Sequence, residues 1–316
     1  MYLYITSRSE PETELIKAEC FAITGVYPDE NGIAIKNSES QHGNYTDVSR
    51  SAYIKLCMQV ILQANELPNL YKILDNADIK SDQFRVSVIK IPRSIKAHPQ
   101  EIMHQVGLRI EGKPDLTNPK TEFLVVITEG NVWLGEVLSK SDGLWEAHQK
   151  KTQQFSSALP TRFARAVVNL VAKPGDKIID PCCGSGTILI ESASMGIKSL
   201  GCDINSLMIW ASMRNIRDFG LDVPLAIIDA RIIKGSFDAV ITDLPYGRSC
   251  PSSENLYYEI LTNSLNLAPR SAIVAGMDIS ELLLQLRFQV QYVIAVPKGS
   301  LVRYIHVSDS DLRLET

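Results

Sequence analysis

The sequence predicts an α/β protein in which a doubly wound parallel sheet closes with an antiparallel hairpin and follows an α+β region. In the second half, strand-like apolar runs alternate with helical segments, which is typical of a parallel sheet covered by helices on both faces. The last two strand-like runs are joined by residues 297–300 alone, too short a link for a parallel crossover, so the last strand must run antiparallel. The first half mixes strands and helices without this alternation.

Length and composition favour two soluble domains. The chain has 316 residues, of which 45% are apolar and 22% charged, so intrinsic disorder and collagen-like repeats are excluded. No apolar run approaches the ~20 residues that span a bilayer, and residues 1–8 lack the basic and apolar regions of a secretory signal. We therefore expect no membrane association and a cytoplasmic location.

The first 148 residues are predicted to form the α+β domain. Apolar and polar alternation favours strands at residues 1–6, 33–36, 84–91, 122–128 and 131–138. The last two flank a Glu129-Gly130 turn and so predict a hairpin. Helical spacing favours helices at residues 12–23, 52–62 and 98–109. Residues 149–160 are polar and poor in structural signals, which predicts a linker.

Residues 161–316 are predicted to form the doubly wound domain. It begins with an amphipathic helix at 161–171, which ends before Lys173-Pro174-Gly175. Strands are predicted at residues 177–180, 199–203, 225–229, 237–243, 271–277, 288–296 and 301–307. Helices are predicted at residues 187–193, 205–219, 256–266 and 281–286, with Asn205 placed to cap the second of them.

Four of the predicted parallel strands end in an aspartate: Asp180, Asp203, Asp229 and Asp243. Ligands of open α/β sheets bind at the carboxyl ends of the strands, where these side chains would line one edge. Because an unpaired carboxylate is costly inside a core, each should face a cleft or a partner. The sequence therefore predicts an acidic crevice along this edge.

The loop after the first of these strands reads Asp-Pro-Cys-Cys-Gly-Ser-Gly-Thr over residues 180–187. Gly184 and Gly186 allow the backbone to approach a ligand closely. Leucine at position 189 breaks the glycine fingerprint of dinucleotide sites, and an acidic strand end repels a pyrophosphate. Asp203 is placed to accept the hydroxyls of a ribose, and Asp229, followed by Ala230, to receive an adenine amino group. Together these features indicate S-adenosylmethionine as the cofactor.

Asp243-Leu244-Pro245-Tyr246 follows the fourth strand and suits methylation of an exocyclic amine. Such an amine is a poor nucleophile, because its lone pair is delocalised into the ring. The Asp243 carboxylate can accept from one N–H group, and the Leu244 carbonyl, held in extended backbone by Pro245, can accept from the other. Tyr246 can stack on the base. Positioning and electrostatics should then supply most of the acceleration, so we expect no catalytic metal.

Residues 180–188, 201–203 and 243–249 resemble the class I methyltransferases that modify amino groups of nucleic-acid bases. They are most similar to the THUMP-containing tRNA guanosine N2-methyltransferases, in particular to the archaeal and eukaryotic enzymes acting on guanosine 10. Residues 159–169 and 299–307 resemble the same group, and residues 115–119 and 134–136 look like the end of a THUMP domain. Leu244 departs from the proline usual in the family. The resemblance implies a Rossmann-like methyltransferase domain after a ferredoxin-like and THUMP region that binds tRNA.

Carried over by motif position, the resemblance also implies the site residues. The cofactor would be bound by Asp180, Cys182, Gly184, Gly186, Thr187, Asp203, Ile204, Asp229 and Ala230, and the target guanine by Asp243, Leu244, Pro245 and Tyr246. A local excess of cations over residues 80–120, with eight Lys or Arg against four acids, favours contact with tRNA phosphates. A merely solvated surface is the alternative for this segment.

Two other functions remain open at the level of sequence. The catalytic motif alone also fits an rRNA or DNA amino-methyltransferase. A tRNA-binding protein that has lost catalysis is disfavoured, because such a protein would be expected to lose Asp243 or the glycines of the loop. The six cysteines form no Cys-x-x-Cys pair, so no metal site is predicted. A small activating subunit, known for some relatives, is compatible with the sequence, which leaves the oligomeric state open.

Overall fold

The computed structural model describes residues 1–37, 45–245, 254–299 and 301–310, which form two compact units. The first unit comprises Met1–Arg8, Thr24–Ser49 and Ile54–Ser141, and the second comprises Ser9–Ile23, Arg50–Tyr53 and Asp142–Thr316. This division differs from the domain boundaries predicted from the sequence. Residues 9–23, 50–53 and 142–160 lie in the second unit, because their apolar side chains, such as Leu15 and Ile16, belong to its core.

The first unit contains a six-stranded sheet and two helices. Its strands are β1 (Tyr2–Thr6), β2 (Ile33–Lys36), β3 (Ile54–Ala64), β4 (Phe84–Lys90), β5 (Thr121–Thr128) and β6 (Asn131–Lys140). Its helices are α2 (Leu67–Leu74) and α3 (Pro99–Gly107), numbered in chain order after a helix α1 (Thr13–Thr24). The strand order is β2-β1-β3-β6-β5-β4. The predicted hairpin is confirmed as β5 and β6, which pair antiparallel.

One element of this unit was predicted wrongly. The helix expected at residues 52–62 is the strand β3, which pairs antiparallel with both β1 and β6. A short apolar run fits a buried strand as well as a buried helix, and only long-range pairing decides between them. Two further features were not predicted. One is the helix α2. The other is the parallel pairing of β4 with β5, which makes β4, α3 and β5 a βαβ unit.

Both faces of this sheet are buried. Successive residues of β5 point to opposite sides, so Phe123 and Val125 pack in a cluster with helices α2 and α3. Leu124 and Val126 pack on the other face, in a cluster with residues of β1 and β3 such as Leu3 and Met58. The sheet therefore forms the centre of its own hydrophobic core.

The second unit is a seven-stranded sheet flanked by helices. Its strands are β7 (Lys177–Asp180), β8 (Lys198–Asp203), β9 (Leu225–Ile227), β10 (Ala239–Asp243), β11 (Arg270–Ala275), β12 (Val290–Lys298) and β13 (Leu301–Asp309). Its helices are α1, α4 (Leu144–His148), α5 (Thr161–Val171), α6 (Thr187–Ser194), α7 (Ser206–Asp218), α8 (Glu254–Leu267) and α9 (Ser280–Gln285). The strand order is β12-β13-β11-β10-β7-β8-β9.

This sheet confirms the predicted fold class. Strands β7 to β11 pair in parallel, and β13 runs antiparallel to both β11 and β12. Asn205 caps α7 as expected, because its side chain accepts a hydrogen bond from the Leu207 N–H. No helix in the described part of the chain is long and apolar enough to cross a bilayer.

The central strand of this sheet, β10, is buried on both faces. Ile241 packs in the cluster that contains Phe163 and Val167 of α5, whereas Val240 packs on the opposite face with Tyr257 and Leu261 of α8. A parallel strand buried on both sides is fixed in register, because a slip of one residue would exchange the two faces. Its last residue therefore has a defined position at the carboxyl edge of the sheet.

Candidate active site

A cavity of about 480 Å³ lies at the carboxyl edge of the sheet in the second unit, where an open α/β sheet binds its ligand. It is lined by most of the residues predicted to bind cofactor or substrate: Asp180, Cys182, Gly184, Thr187, Asp203, Ile204, Asp229, Ala230, Asp243, Leu244 and Pro245. Gly186 is not among the residues that line it. Tyr246 lies outside the described residues. The structure thus brings together side chains from four separate strand ends.

Asp203 is held rigidly at the end of β8. Its Oδ2 accepts a hydrogen bond of 2.9 Å from the Gly184 N–H, and its Oδ1 accepts one of 2.9 Å from the Asn205 N–H. A carboxylate oxygen has a further lone pair after each of these bonds. Asp203 can therefore accept two hydroxyl groups of a ligand without giving up the bonds that orient it.

Asp180 has a different environment, because its side chain is only 1% exposed. Its Oδ1 accepts hydrogen bonds from the Thr242 hydroxyl at 2.9 Å and from the Cys182 N–H at 3.2 Å. Burial raises the pKa of Asp180 to about 8, and the nearby carboxylates of Asp203 and Asp243 add to the effect. A buried acid of this kind favours a bound cation, which would offset the cost of ionising it.

Asp229 is engaged by a cation of the protein itself. Strand β9 ends at Ile227, so Asp229 lies beyond it, and its carboxylate forms an ion pair of 2.6 Å with Arg231, which also pairs with Glu259. The hydrogen bonds from Arg231 lower the pKa of Asp229. Nothing in the sequence indicates this ion pair, and an adenine amino group would have to share the Asp229 carboxylate with it.

The two glycines of the loop after β7 have different roles. Gly184 has φ +51°, and a Cβ placed there would meet no atom within 4 Å, so the loop leaves room for a ligand on this side. Gly186 has φ +82° and precedes α6, and a Cβ there would lie 2.3 Å from Oγ of Ser212. Gly186 therefore permits close packing of α6 against α7, whereas Gly184 keeps the cavity open.

The motif after β10 is fixed by the sheet and by α8. The Leu244 N–H donates to the Val274 carbonyl at 2.9 Å, which extends the pairing of β10 with β11 beyond Asp243. The Leu244 side chain is buried in the core, so a leucine in place of the proline usual in the family adds no exposed apolar surface. The Tyr257 hydroxyl donates to the Pro245 carbonyl at 2.8 Å. Tyr257 is a supporting residue that the sequence analysis did not identify.

The segment predicted as a linker forms a wall of the cavity. Phe155, Ser157, Ala158 and Leu159 all line it. Asn215 of α7 holds this segment, because its side chain bonds to both the N–H and the carbonyl of Gln153, at 2.7 and 2.9 Å. The segment lacks secondary-structure signals because side chains, rather than a periodic backbone pattern, hold it in place.

The cysteines beside the loop are not suited to nucleophilic chemistry. Burial raises the pKa of both Cys182 and Cys183, so both thiols stay protonated at neutral pH. Within the part of the chain that the structure describes, no group of three or more His, Cys, Asp or Glu side chains could hold a metal ion.

Comparison with known proteins gives a methyltransferase family and two archaeal relatives. The methyltransferase-domain family UPF0020, described as RMKL-like, matches residues 149–285. The tRNA (guanine(10)-N2)-dimethyltransferase of Methanothermobacter thermautotrophicus is 30% identical over 234 residues, which are 68% of this chain and 68% of the relative. The protein of the same name from Methanocaldococcus jannaschii is 28% identical over 268 residues, 77% of this chain and 75% of the relative. In fold, the chain is similar to the crystal structure of TrmN from Thermus thermophilus, with a TM-score of 0.50, 20% identity and coverage of 98% of this chain and 99% of that one.

The fold and the cavity define a class I methyltransferase that uses S-adenosylmethionine. The residues present fit this cofactor: a cavity of suitable size, open space at Gly184 and two buried or oriented carboxylates at Asp180 and Asp203. The extent and identity of the archaeal matches go further, and the chain belongs to the family of THUMP-type tRNA guanine N2-methyltransferases.

Proposed function

We propose that the chain methylates the exocyclic amine of guanosine 10 in tRNA. The observation that carries this proposal is the position of Asp243 and Leu244, which end the central strand at the cavity that suits the methyl donor. The choice of guanosine 10 is supported by the two archaeal relatives, which are named for that nucleotide.

Asp243 and the backbone of Leu244 would prepare the amine for attack. The carboxylate accepts a hydrogen bond from one N–H of the amine and the Leu244 carbonyl accepts one from the other, which favours a tetrahedral nitrogen with its lone pair free. Tyr257 supports this arrangement by holding the Pro245 carbonyl, and Tyr246 would stack on the base. Bound S-adenosylmethionine supplies a methyl group that its sulfonium makes electrophilic, so the contribution of the chain is chiefly to orient the two reactants.

The remaining cavity residues would bind the cofactor. Asp203 is the candidate for the ribose hydroxyls, because its oxygens are already oriented by two backbone N–H groups. Asp180 is the candidate for the cationic part, since it is buried and has no cation of the protein beside it among the described residues. Asp229 and Ala230 are proposed to contact the adenine, next to the pair that Asp229 forms with Arg231.

The first unit is proposed to bind tRNA through those of its cations that form no ion pair within the protein. Of the cations in the segment 80–120, Lys80, Arg85 and Arg109 form ion pairs with acids of the same unit. Arg93, Lys96, Lys113 and Lys120 are exposed, and no acid of the described residues forms an ion pair with them. These four side chains are therefore the better candidates for phosphate contact, with Arg93 and Lys96 close together in the chain. The target guanine must also leave its stack to reach a cavity, a cost of a few kcal/mol.

The test is methyl transfer from labelled S-adenosylmethionine to an unmodified tRNA transcript, followed by digestion to nucleosides. We expect label on N2 of guanosine, and none when position 10 carries adenosine. The ratio of singly to doubly methylated guanosine then gives the number of transfers. Activity of the purified chain alone would make a small activating subunit unnecessary.

Three results would overturn the proposal. Label on adenine or cytosine would contradict the choice of base. A clear preference for rRNA or DNA over tRNA would indicate an rRNA or DNA amino-methyltransferase instead. Binding of tRNA without any binding of cofactor would favour a protein that has lost catalysis.

A further inference from the structure

The loop after β11 lies beside the candidate catalytic motif, on the side away from the cavity. Strand β11 pairs in parallel with β10, with Val274 opposite Asp243, and the Leu244 N–H donates to the Val274 carbonyl. Residues 275–279 therefore continue past the same edge of the sheet, next to Leu244 and Pro245. In the order of strands, β10 separates this loop from β7, β8 and β9, at whose ends the cavity lies.

The chemistry of methyl transfer gives this side of the motif a use. A methyl group leaves a sulfonium by in-line displacement, so the attacking nitrogen approaches from the side opposite the sulfur. With the donor in the cavity and the target amine held at Asp243, the purine ring extends away from the cavity. The loop after β11 borders the motif on that side.

This loop presents an apolar side chain at the surface. Met277 is 56% exposed, whereas Ala275 and Ile279 on either side of it are buried. A flexible thioether packs well against an aromatic ring and needs no hydrogen-bond partner. Met277 can therefore cover a purine whose polar edge is bound by Asp243 and the Leu244 carbonyl.

A buried histidine of β13 fixes the loop. His306 is completely buried, and its Nε2 lies 3.0 Å from Oδ1 of Asp278 and 3.2 Å from the Ile279 nitrogen. Nε2 donates to the Asp278 carboxylate when it carries a proton and accepts from the Ile279 N–H when it does not, so the ring has a partner in the loop in either state. The hydrogen bonds from Ser280 and His306 lower the pKa of Asp278 to about 2, so its carboxylate is charged at neutral pH.

We propose that Met277 contacts the target guanine and that His306 is the positioning residue that holds Met277 there. His306 acts through Asp278 and Ile279, which follow Met277 directly in the chain. The guanine then meets a polar edge at the end of β10 and an apolar wall in the loop after β11. The inference rests on the proposed function, because it requires a purine whose amine reaches Asp243.

Single-turnover methyl transfer, with protein and S-adenosylmethionine in saturating excess over unmodified tRNA, measures this contact. Met277→Ala should lower the maximal rate about 5- to 10-fold, because without the apolar wall the base is unstacked in fewer of the complexes. The affinities for tRNA and for S-adenosylmethionine should each stay within about twofold, since phosphate contacts dominate the binding of tRNA. The control is Leu284→Ala, which removes a similarly exposed apolar side chain of α9 and should leave the rate within about twofold.

A double variant separates positioning from a general structural role. If His306 acts through Met277, His306→Ala should lower the maximal rate by a similar factor, and the two substitutions together should cost no more than about twofold beyond either alone. His306→Gln keeps a polar group near the position of Nε2 and should recover most of the rate.

Three outcomes would overturn the inference. A maximal rate for Met277→Ala within about twofold of the unaltered protein would exclude the contact with guanine, and this variant changes only an exposed side chain. Rate losses that multiply in the double variant would exclude positioning through Met277. Failure of the proposed function is distinguishable, because the unaltered protein would then methylate no guanosine of tRNA, and the inference would fail with it.

Discussion

At the scale of single residues, the acids that the sequence presents as equivalent have different roles in the structure. Asp180 is buried with a raised pKa, Asp203 is oriented by two backbone N–H groups, and Asp229 is paired with Arg231. Asp243 is half-buried at the end of β10. The sequence placed all four near one edge, but their protonation and partners depend on residues distant in the chain.

The proposed role of Asp243 predicts a loss of catalysis without a loss of cofactor binding. Asp243→Asn keeps the shape of the side chain and removes its charge, so we expect the single-turnover rate of methyl transfer to fall by about 10²–10³. The affinity for S-adenosylmethionine, measured by calorimetry, should stay within about threefold, a change below 1 kcal/mol. A variant that retains a tenth or more of the rate would contradict the role assigned to Asp243.

The buried state of Asp180 predicts a pH-dependent stability. Its pKa is about 8 in the folded chain and about 4 in the unfolded chain, so the folded state holds the proton more tightly between these values. The resulting stabilisation is complete below pH ~4 and is lost as the pH rises through ~8. Asp180→Asn should therefore stabilise the cofactor-free protein increasingly over this range, by a few kcal/mol at the upper end.

Denaturant unfolding at a series of pH values measures this difference. The exposed Asp222→Asn variant is the control, and its stability difference from the unaltered protein should be nearly flat with pH. An equally flat profile for Asp180→Asn would mean that Asp180 is ionised throughout.

At the scale of elements, the loop between β7 and α6 combines packing and binding. A Cβ at position 186 would collide with Ser212 of α7, whereas a Cβ at position 184 would meet open space. The amphipathic helix α5 and the strands β7 and β10 were predictable because their patterns are local. The wall formed by residues 149–160 was not, since it is held by Asn215 from a helix far along the chain.

Alanine at the two glycines should have separable effects. Gly186→Ala places a methyl group 2.3 Å from Oγ of Ser212 in a left-handed conformation, so we expect a loss of stability of at least about 1–3 kcal/mol. Gly184→Ala meets no steric contact, so its cost in stability is limited to the roughly 1–2 kcal/mol of a left-handed alanine, and it should in addition weaken cofactor binding because its methyl group reduces the space of the cavity. Thermal unfolding and calorimetry on both variants distinguish the two effects, and identical profiles would contradict the division of roles.

Within the second unit, the buried carboxylate of Glu19 connects helix α1 to the neighbouring segments. Glu19 accepts hydrogen bonds from the Ser51 hydroxyl, the Ala52 and Tyr53 N–H groups and the Asn169 side chain, at 2.7–2.8 Å. Glu19→Ala removes the shared acceptor of these buried donors and leaves the Tyr53 N–H and the Asn169 side chain only their longer bonds to Ser51 and Arg50, so we expect a loss of about 3–5 kcal/mol in the free energy of unfolding.

The matched control lies on the same helix. Glu14 is exposed and, within the described part of the chain, forms an ion pair with Lys17 alone, so Glu14→Ala should cost less than about 1 kcal/mol. If denaturant unfolding gives similar losses for the two variants, the buried network around Glu19 does not secure the helix.

At the scale of the whole molecule, the chain folds into two units, each with its own hydrophobic core. The first unit has a six-stranded sheet with exposed cations, and the second has the sheet with the cavity. The net charge of −4 therefore says little about RNA binding, because contact with phosphate depends on local groups.

The exposed cations of the first unit should contribute to RNA affinity. Replacing Arg93 and Lys96 together by alanine is expected to weaken tRNA binding and to reduce the slope of log affinity against log salt by about 2. Lys80→Ala is the control, because Lys80 is already paired with Asp78 and Glu111 and should change the slope little. Filter binding over a range of salt concentrations measures the affinity and the slope for each variant. An unchanged slope in the double variant would mean that other residues contact the RNA.

The sequence by itself determined the doubly wound sheet, its terminal hairpin and the acids at its carboxyl edge. These follow from local periodicity and from the rule that parallel strands end on the same side of a sheet. Only the tertiary structure decided that residues 54–64 form a strand, that α1 packs into the second unit, and that part of the segment 149–160 lines the cavity. Each of these depends on partners distant in the chain, such as Asn215 for Gln153 and Asn169 for Glu19, and no local pattern records such contacts.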